Sequence, residues 1–366
     1  MNINNNKTWQ ILKKDKSLFQ RYFVKEFLIK ACRKFFEDRD YHELESPILA
    51  PALPQEAYLD VLETNIQTKS GSKTVYIIPT TERYNKIILA AGLGNHFVIT
   101  KVIRGTEEIT TNHSPEFTML EWYHLNGNYM DLINDFIQLI RFSHRFVYDQ
   151  LYKEKQKKLF PINVTAKYQP IIQFHGYHID ISIDPYIISI PDYLKEIINV
   201  DLEIIQSDIN FRNFMLRRGY VVTEEYSWQE MFEMLFATEI EPTLPKDRIV
   251  CVVDYPKQVC VLTKQKSTNP LVCERVEIYL AGLELANGYT ELLDWQIQKE
   301  NFDIQLKLRE KIGLKKINYD YELLQALKEG LPNVAGIGMG IDRLAMIYAN
   351  ANSISEINYF PISEWF

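Results

Sequence analysis

The order of strand-like and helix-like segments is the feature of this sequence that most constrains its fold. Strand patterns are indicated at residues 74–78, 97–103, 116–125, 249–254 and 274–291. Helical patterns separate some of these segments, but the two kinds do not alternate strictly. Because parallel neighbours need a crossover connection, usually a helix, this order predicts an α+β domain with a mainly antiparallel sheet.

The helical segments are indicated by apolar residues that repeat every three or four positions. We expect residues 1–16 to be loose and the first long helix to begin at Ser17, where Gln20 would complete a capping box. Further helices are predicted at about residues 81–91, 129–152, 190–198, 227–238, 295–311 and 319–329, and a last one opens at residues 340–342. Residues 125–240 carry no recognisable motif and are treated as a variable region.

Composition and charge exclude several classes of protein. The 366 residues are 46% hydrophobic and 24% charged, with a net charge of −7, which is typical of a soluble globular protein and not of one that wraps nucleic acid. The four cysteines form no CxxC pair, so a structural zinc site is not expected. No signal peptide or apolar stretch of membrane-spanning length is present, and we therefore expect a cytoplasmic protein without membrane contact.

The first group of chemically active residues lies at 103–123, which is predicted to form a strand, a polar loop and a second strand. Alternation places Phe117, Glu121 and Tyr123 on one face of the second strand. Arg104, at the end of the first strand, could bind a carboxylate or phosphate with both arms of its guanidinium group. The competing interpretation is a surface hairpin with scattered charges.

The second group lies at residues 274–294, where Asn287, Tyr289 and Glu291 alternate on one face. Glu277 and Glu284 would come together if the chain turned near residues 281–282. Two neighbouring carboxylates repel each other, and Mg²⁺ that also contacts phosphates would relieve the repulsion. A solvated hairpin with polar edges is the alternative.

The third group lies at residues 335–349, where Gly336, Gly338 and Gly340 are predicted to form a glycine-rich turn that leads into a helix with Arg343 in its first turn. Glycines let the backbone approach a ligand closely, and a helix N-terminus attracts phosphate. A dinucleotide-binding interpretation is disfavoured, because no βαβ unit with a following acidic residue surrounds these glycines.

Taken together, these groups resemble the three ordered motifs of the class II aminoacyl-tRNA synthetases. The triplet ESP at 45–47 resembles motif 1, residues 103–123 resemble motif 2, and residues 336–344 resemble motif 3. The phrases HSPEFTMLEWY and GLELANGYTELLD are similar to the lysyl branch in particular. The resemblance implies one catalytic domain over residues 17–366, built on a six- or seven-stranded antiparallel sheet flanked by helices, and a homodimer formed through motif 1.

The resemblance also implies a role for each matching residue. ATP would be bound by Arg104, Glu107 or its neighbour Glu108, His113, Phe117, Glu277, Glu284, Gly340 and Arg343. Glu277 and Glu284 would hold Mg²⁺, and Arg104, Glu284 and Arg343 would carry the catalysis. Glu82 would meet the substrate's amino group, and the remaining pocket residues would be Glu121, Tyr123, Asn287, Tyr289, Glu291 and Gly338.

One part of the lysyl pattern has no counterpart here. Lysyl-tRNA synthetases carry an N-terminal anticodon-binding domain, and the motif 1 helix begins here at about residue 17, so we expect no tRNA anticodon binding. The chain therefore resembles the shortened paralogues that ligate lysine or β-lysine to a lysine of elongation factor P. Those paralogues carry Ala where this chain has Gly338, which lysyl synthetases share, so both isomers stay open. A truncated synthetase with another acceptor (tRNA, a carrier protein or a small molecule) and a non-catalytic regulator are the alternatives.

Overall fold

The structure is a computed structural model that describes residues 7–58, 61–105 and 108–365. The helices are α1 (Thr8–Lys14), α2 (Phe19–Glu37), α3 (Glu82–Ala90), α4 (Tyr129–Lys157), α5 (Ile190–Tyr193), α6 (Leu202–Ile205), α7 (Asp208–Arg217), α8 (Trp228–Leu235), α9 (Trp295–Lys311), α10 (Tyr321–Gly330) and α11 (Ile341–Tyr348). The strands are β1 (His42–Glu43), β2 (Leu49–Ala50), β3 (Leu62–Thr68), β4 (Gly71–Ile77), β5 (His96–Ile103), β6 (Glu116–Leu125), β7 (Ile171–Phe174), β8 (Tyr177–Asp180), β9 (Tyr186–Ser189), β10 (Ile249–Pro256), β11 (Val272–Leu280), β12 (Leu283–Thr290) and β13 (Val334–Gly340).

The main sheet has eight strands in the order β1-β5-β6-β13-β12-β11-β10-β9. Its centre, from β5 to β10, is antiparallel, whereas β1 pairs parallel with β5 and β9 pairs parallel with β10. The predicted α+β class with a mainly antiparallel sheet is confirmed, and the expected six or seven strands become eight. The edge strands β1 and β9, with two and four residues, are too short to show an alternating pattern.

The two faces of β6 separate the core from the predicted site. Leu120 and Trp122 point into the main hydrophobic core and are fully buried. Helices α2 and α4 contribute to that core through side chains such as Phe35 and Phe136. The odd-numbered residues of β6 therefore face away from the core, where they are free to line a cavity.

The beginning of the chain differs from the expectation. The segment predicted to be loose contains helix α1, and Thr8 N donates a hydrogen bond to Glu364 Oε1 at 2.6 Å, so the two ends of the described chain meet. Ser17 does not cap the long helix. Instead, Asp15 accepts a hydrogen bond from Ser17 N at 2.9 Å and caps a short 3₁₀ turn, Lys16–Leu18, that precedes α2. A carboxylate two residues upstream satisfies the exposed N–H groups as well as a serine would.

The glycine-rich segment also differs from the expectation. It forms the central strand β13 and not a turn, and only Gly340 serves as the entry to α11. Glycine is unfavourable inside a strand unless neighbouring groups need the space that its missing side chain leaves. A Cβ on Gly288 of the neighbouring strand β12 would lie 2.6 Å from Ile337 Cβ, so the strands here pack too closely for side chains at each position.

The variable region, residues 125–240, contributes to two separate hydrophobic clusters. Its first part is α4, which lies in the main core. Its later part, from α5 to the residues after α8, packs in a second hydrophobic cluster against the sheet, and Ile190, Phe211 and Leu235 are fully buried there. Within the described ranges, no helix is long and apolar enough to cross a membrane.

Candidate active site

A cavity of about 720 Å³ lies over the centre of the main sheet. The sheet order explains its position, because the three groups recognised in the sequence lie on neighbouring strands. The first group lies on β5 and β6, the second on β11 and β12, and the third on β13 between them. Apart from Glu108, the cavity collects every predicted site residue that the structure describes: Glu82, Arg104, His113, Phe117, Glu121, Tyr123, Glu277, Glu284, Asn287, Tyr289, Glu291, Gly338, Gly340 and Arg343. Glu107 lies outside the described residues. The neighbouring candidate Glu108 is exposed and is not among the lining residues.

The glycines of β13 make room for the floor of the cavity. Gly338 pairs with Glu121 on one side and Asn287 on the other, and Gly336 pairs with Tyr123 and Tyr289. A Cβ on Gly336 would lie 2.5 Å from Tyr123 Cε1 and 2.6 Å from Glu291 Oε1. Polar side chains from both neighbouring strands therefore fold over this strand, which a larger residue at Gly336 would prevent.

Glu121 fixes the entry of α3 beside the sheet. Its Oε1 accepts hydrogen bonds from Thr80 Oγ1 at 2.5 Å and Thr81 N at 2.8 Å, and its Oε2 accepts one from Asn85 Nδ2 at 3.0 Å. Burial raises the pKa of this carboxyl, and the hydrogen bonds from Thr80 and Thr81 oppose that effect. Glu121 thus positions α3, and most of its hydrogen-bonding capacity is used before any ligand arrives.

Glu82 and Glu291 share a buried ammonium group. Lys86 Nζ lies 2.5 Å from Glu82 Oε1 and 2.7 Å from Glu291 Oε2. Lys86 and Glu82 are four residues apart on α3, so their side chains meet on one face of the helix. Tyr289 Oη donates a further hydrogen bond to Glu82 Oε1 at 2.6 Å. The Lys86 side chain is 1% exposed, which makes it an internal counterion.

One oxygen at the bottom of this pocket has no partner. Glu291 Oε1 is buried and accepts no hydrogen bond from any described residue, and it lies against Gly336 and the ring of Tyr123. A buried charged oxygen without a donor is costly, so a donor from a ligand would gain the energy that the protein leaves unsatisfied.

The charges of the pocket are not balanced without a ligand. Burial disfavours the charged form of Lys86, but Glu291 and Glu82 outweigh it and raise the pKa of the ammonium. Burial, together with the charges of Glu82 and Glu121, raises the pKa of Glu291 to about 8 although Lys86 opposes it. At neutral pH this carboxyl therefore largely holds a proton until a positive charge arrives. With Glu82, Glu121 and Glu291 all ionised, the one ammonium group of Lys86 would leave two negative charges, which two added positive charges would neutralise.

The two candidate metal ligands lie at another part of the cavity. Strands β11 and β12 are joined by a two-residue turn in which Ala281 has φ 55° and Gly282 has φ 77°. This turn folds Glu284 back beside Glu277, as predicted. Burial and the charge of Glu277 raise the pKa of Glu284 to about 7 although Arg343 lowers it. Among the described residues no set of three His, Cys, Asp or Glu side chains forms a metal site, so a cation here needs oxygens from a ligand.

Glu277 is held firmly, whereas the Glu284 carboxylate is not. Glu277 Oε1 contacts Arg275 Nη2 at 2.7 Å, and its Oε2 accepts hydrogen bonds from Tyr255 Oη and Tyr279 Oη, both at 2.7 Å. No described residue donates to the carboxylate of Glu284, although Arg343 Nη1 donates to its backbone oxygen at 2.8 Å. A free carboxylate beside an anchored one fits a hard divalent cation that also contacts phosphate oxygens.

The arginines of motifs 2 and 3 stand on the wall of the cavity. Arg104 is exposed, and its Cζ lies 5.3 Å from the centre of the Phe117 ring. Arg343, in the first turn of α11, is fixed by hydrogen bonds to the backbone of Glu284 and Asn112. Two guanidinium groups and an aromatic ring around one cavity can bind a nucleotide through its phosphates and base.

Sequence reasoning missed several residues of this site. Lys86 follows Glu82 by four positions and looks like an ordinary surface pair on a helix. Arg275 alternates with Glu277 on β11, and that spacing was the available signal for it. The variable region also contributes a wall, through Phe232 and Glu233 among others. No pattern in the sequence indicates that wall, because it depends on packing across the second cluster.

The comparison with known families agrees with the geometry. A model of the class II tRNA synthetases for D, K and N matches residues 3–364. The chain belongs to this family.

Individual relatives divide into two groups. The chain is 30% identical over 359 residues to the elongation factor P–(R)-β-lysine ligase of Histophilus somni (strain 2336), covering 98% of each chain. It is 31% identical to the protein of the same name from Mannheimia succiniciproducens, covering 97% of this chain and 98% of the relative. It is 30% identical to the lysine–tRNA ligase of Legionella pneumophila (strain Corby), covering 93% of this chain but 64% of the relative.

Proposed function

We propose that this protein uses ATP to activate lysine or (R)-β-lysine as an aminoacyl-adenylate and transfers the aminoacyl group to a lysine side chain of elongation factor P. The observation that carries the proposal is the carboxylate-rich pocket around Lys86, in which Glu291 Oε1 has no hydrogen-bond donor and two added ammonium groups would neutralise the ionised carboxylates. Lysine and β-lysine each carry two. The near-complete coverage of relatives named for this reaction supports the same acceptor.

The substrate lies in the pocket with its side-chain ammonium beside Glu291 and Tyr123. Its second ammonium meets Glu82, which Tyr289 and Lys86 hold in place. Glu291 disfavours neutral side chains of the same length, because its buried carboxyl would then stay unpaired. The carboxylate of the substrate points out toward Arg104.

ATP occupies the remaining part of the cavity, with its adenine between Phe117 and Arg343 and with His113 beside it. Arg104 and Arg343 neutralise the phosphates, and Gly340 lets the chain pass close to them. Glu284 and Glu277 would hold Mg²⁺, which supplies further charge neutralisation when bound. The substrate carboxylate attacks the α-phosphate in line and releases pyrophosphate, so the residues act through positioning and electrostatics, and no base is needed for this step.

We further propose that the protein works as a homodimer in the cytoplasm, where the acceptor is used. Large apolar side chains are exposed near motif 1 and at the joined ends of the chain: Trp9 at 56%, Ile48 at 55%, Phe360 at 78% and Trp365 at 67%. An exposed apolar surface of this kind supports a protein interface. Size-exclusion chromatography with light scattering tests it, and a strictly monomeric mass would contradict it.

The function itself is tested by amino-acid-dependent ATP–pyrophosphate exchange with α-lysine, β-lysine and the other standard amino acids. We expect exchange with lysine or β-lysine alone. Mass spectrometry then follows transfer to purified elongation factor P, with lysine tRNA as the competing acceptor. Exchange without modification of elongation factor P would favour a synthetase-like enzyme with another acceptor, and no exchange at all would favour a non-catalytic regulator.

A further inference from the structure

The carboxylate of Glu56 also lines the cavity, and it has no role in the set assigned above. Glu56 lies in the irregular segment between β2 and β3, and its neighbours on both sides are anchored. Gln55 Nε2 donates to Asn318 O at 3.0 Å, and Ala57 N donates to Gln305 Oε1 at 2.9 Å. The backbone on each side of Glu56 is thus tied to structures beyond the cavity wall, and the half-buried Glu56 lies between them.

The charged groups around Glu56 define its position. Its carboxyl interacts most strongly with Glu82, then with Arg275, Arg104 and Lys86, and it also influences Tyr289. No described residue forms a hydrogen bond or ion pair with it. Burial and the charge of Glu82 raise its pKa to about 7. Glu56 therefore shares one cavity with Glu82, proposed to bind the amino end of the substrate, and with Arg104, proposed to bind its carboxyl end.

In the proposed pose, the carbonyl carbon that reacts in the second step lies between Glu82 and Arg104, in the cavity that Glu56 also lines. Together with Lys86, the two ammonium groups of lysine would neutralise the carboxylates of Glu82, Glu121 and Glu291. The carboxylate of Glu56 therefore has no partner among these groups and is available to another one. The acceptor of the proposed reaction is an amine, which must lose a proton as it forms the amide. The inference rests on the proposed function, because it needs an adenylate in the cavity.

We propose that Glu56 is the catalytic base of the transfer step, accepting a proton from the amine that attacks the aminoacyl-adenylate. The neutral amine forms the C–N bond, the bond between the carbonyl carbon and the phosphate oxygen breaks, and AMP leaves with the electron pair. The excess proton on the amide nitrogen passes to Glu56, which then returns it to solvent. A positioned base of this kind contributes about 10²- to 10⁴-fold to a rate.

The test separates the two steps and two nucleophiles. The Glu56→Gln variant is compared with the unchanged protein in ATP–pyrophosphate exchange and in single-turnover transfer from the isolated enzyme-bound adenylate. The nucleophiles are n-butylamine, which resembles a lysine side chain, and hydroxylamine, a far weaker base that is unprotonated at neutral pH. Glu300→Gln, at an exposed carboxylate outside the cavity, is the matched control.

We expect Glu56→Gln to keep exchange and transfer to hydroxylamine within about threefold and to lose on the order of 10²-fold in transfer to n-butylamine. Equal losses with both nucleophiles, a loss of exchange, or no loss at all would each overturn the assignment of Glu56. Failure of the proposed function looks different, because the unchanged protein would then show no exchange with any amino acid.

Discussion

Lys86 Nζ lies 2.7 Å from Glu291 Oε2, and each side chain is only 1% exposed. The pair joins α3 to the residue directly after β12, and Glu82 completes it from the same helix. An ion pair this deep carries a large desolvation cost, which its mutual attraction barely offsets. We therefore infer that the ion pair serves mainly to hold the carboxylates of Glu82 and Glu291 in a fixed geometry.

Replacement of Lys86 should lower the free energy of unfolding. The Lys86→Met variant keeps most of the volume but leaves Glu82 and Glu291 without their counterion, and we expect a loss of about 3–5 kcal/mol in the free energy of unfolding. Urea denaturation measures it. Lys30→Met is the control, because the Lys30–Glu26 pair is 56% and 49% exposed and should cost less than about 1 kcal/mol. Similar losses in both variants would show that the buried pair has no special role.

Glu291 should decide whether the side-chain ammonium group of the substrate is recognised. In Glu291→Gln the buried oxygen beside Gly336 loses its charge, and we expect kcat/KM for lysine-dependent exchange to fall on the order of 10²- to 10³-fold. Exchange with norleucine, which lacks the ammonium, should change little, so discrimination between the two collapses. Glu300→Gln, at an exposed carboxylate, serves as the control. An unchanged ratio of lysine to norleucine would contradict this placement of the substrate.

The sequence predicted those parts of the site that repeat with a simple period. Phe117, Glu121 and Tyr123 share a face because a strand alternates, and the structure places all three on the cavity. The turn at residues 281–282 was also predicted. Glu277 and Glu284 are seven residues apart and would lie on opposite faces of a continuous strand, so a shared metal site requires a turn between them.

The parts that escaped prediction depend on contacts between distant segments. Lys86 looks like half of a surface pair until Glu291, 205 positions later, is brought against it. The glycines of β13 are typical of a turn, so the sequence predicts a turn where the structure has a strand. Only the positions of the Tyr123 and Glu291 side chains explain why Gly336 of this strand carries no side chain. Glu56 belongs to no periodic element, so no pattern could have indicated it.

The two glycines of β13 should respond very differently to alanine. In Gly336→Ala the new Cβ would meet Tyr123 and Glu291 at 2.5–2.6 Å, and we expect a loss of about 1–3 kcal/mol in stability together with loss of exchange. In Gly338→Ala the nearest atom is Glu121 Cγ at 3.6 Å, an ordinary contact, so the variant should fold normally and change only the preference between α- and β-lysine. Thermal unfolding and exchange with both isomers test the pair. Equal destabilisation by both substitutions would contradict the geometry of the cavity floor.

His144 should make the protein less stable in mild acid. It lies on α4, where its Nδ1 is 3.2 Å from Tyr168 Oη and its ring stands edge-on to Tyr348 at 5.3 Å. Burial lowers its pKa to about 4, against roughly 6.5 for histidine in an unfolded chain. Between these values the unfolded state binds more protons than the folded state, so stability decreases as the pH falls from about 6.5 to 4.

The size of the effect follows from the separation of the two pKa values. A difference of this size corresponds to a loss on the order of 3 kcal/mol across the interval. Other groups titrate in the same range, so the measurement is the difference in urea unfolding free energy between the unchanged protein and His144→Gln, taken at several pH values. The variant should lose stability less steeply toward low pH, whereas His178→Gln, at an exposed histidine, should follow the unchanged protein. Parallel curves for all three proteins would mean that His144 is protonated at little cost in the folded state, and that its packing against Tyr348 does not exclude the charge.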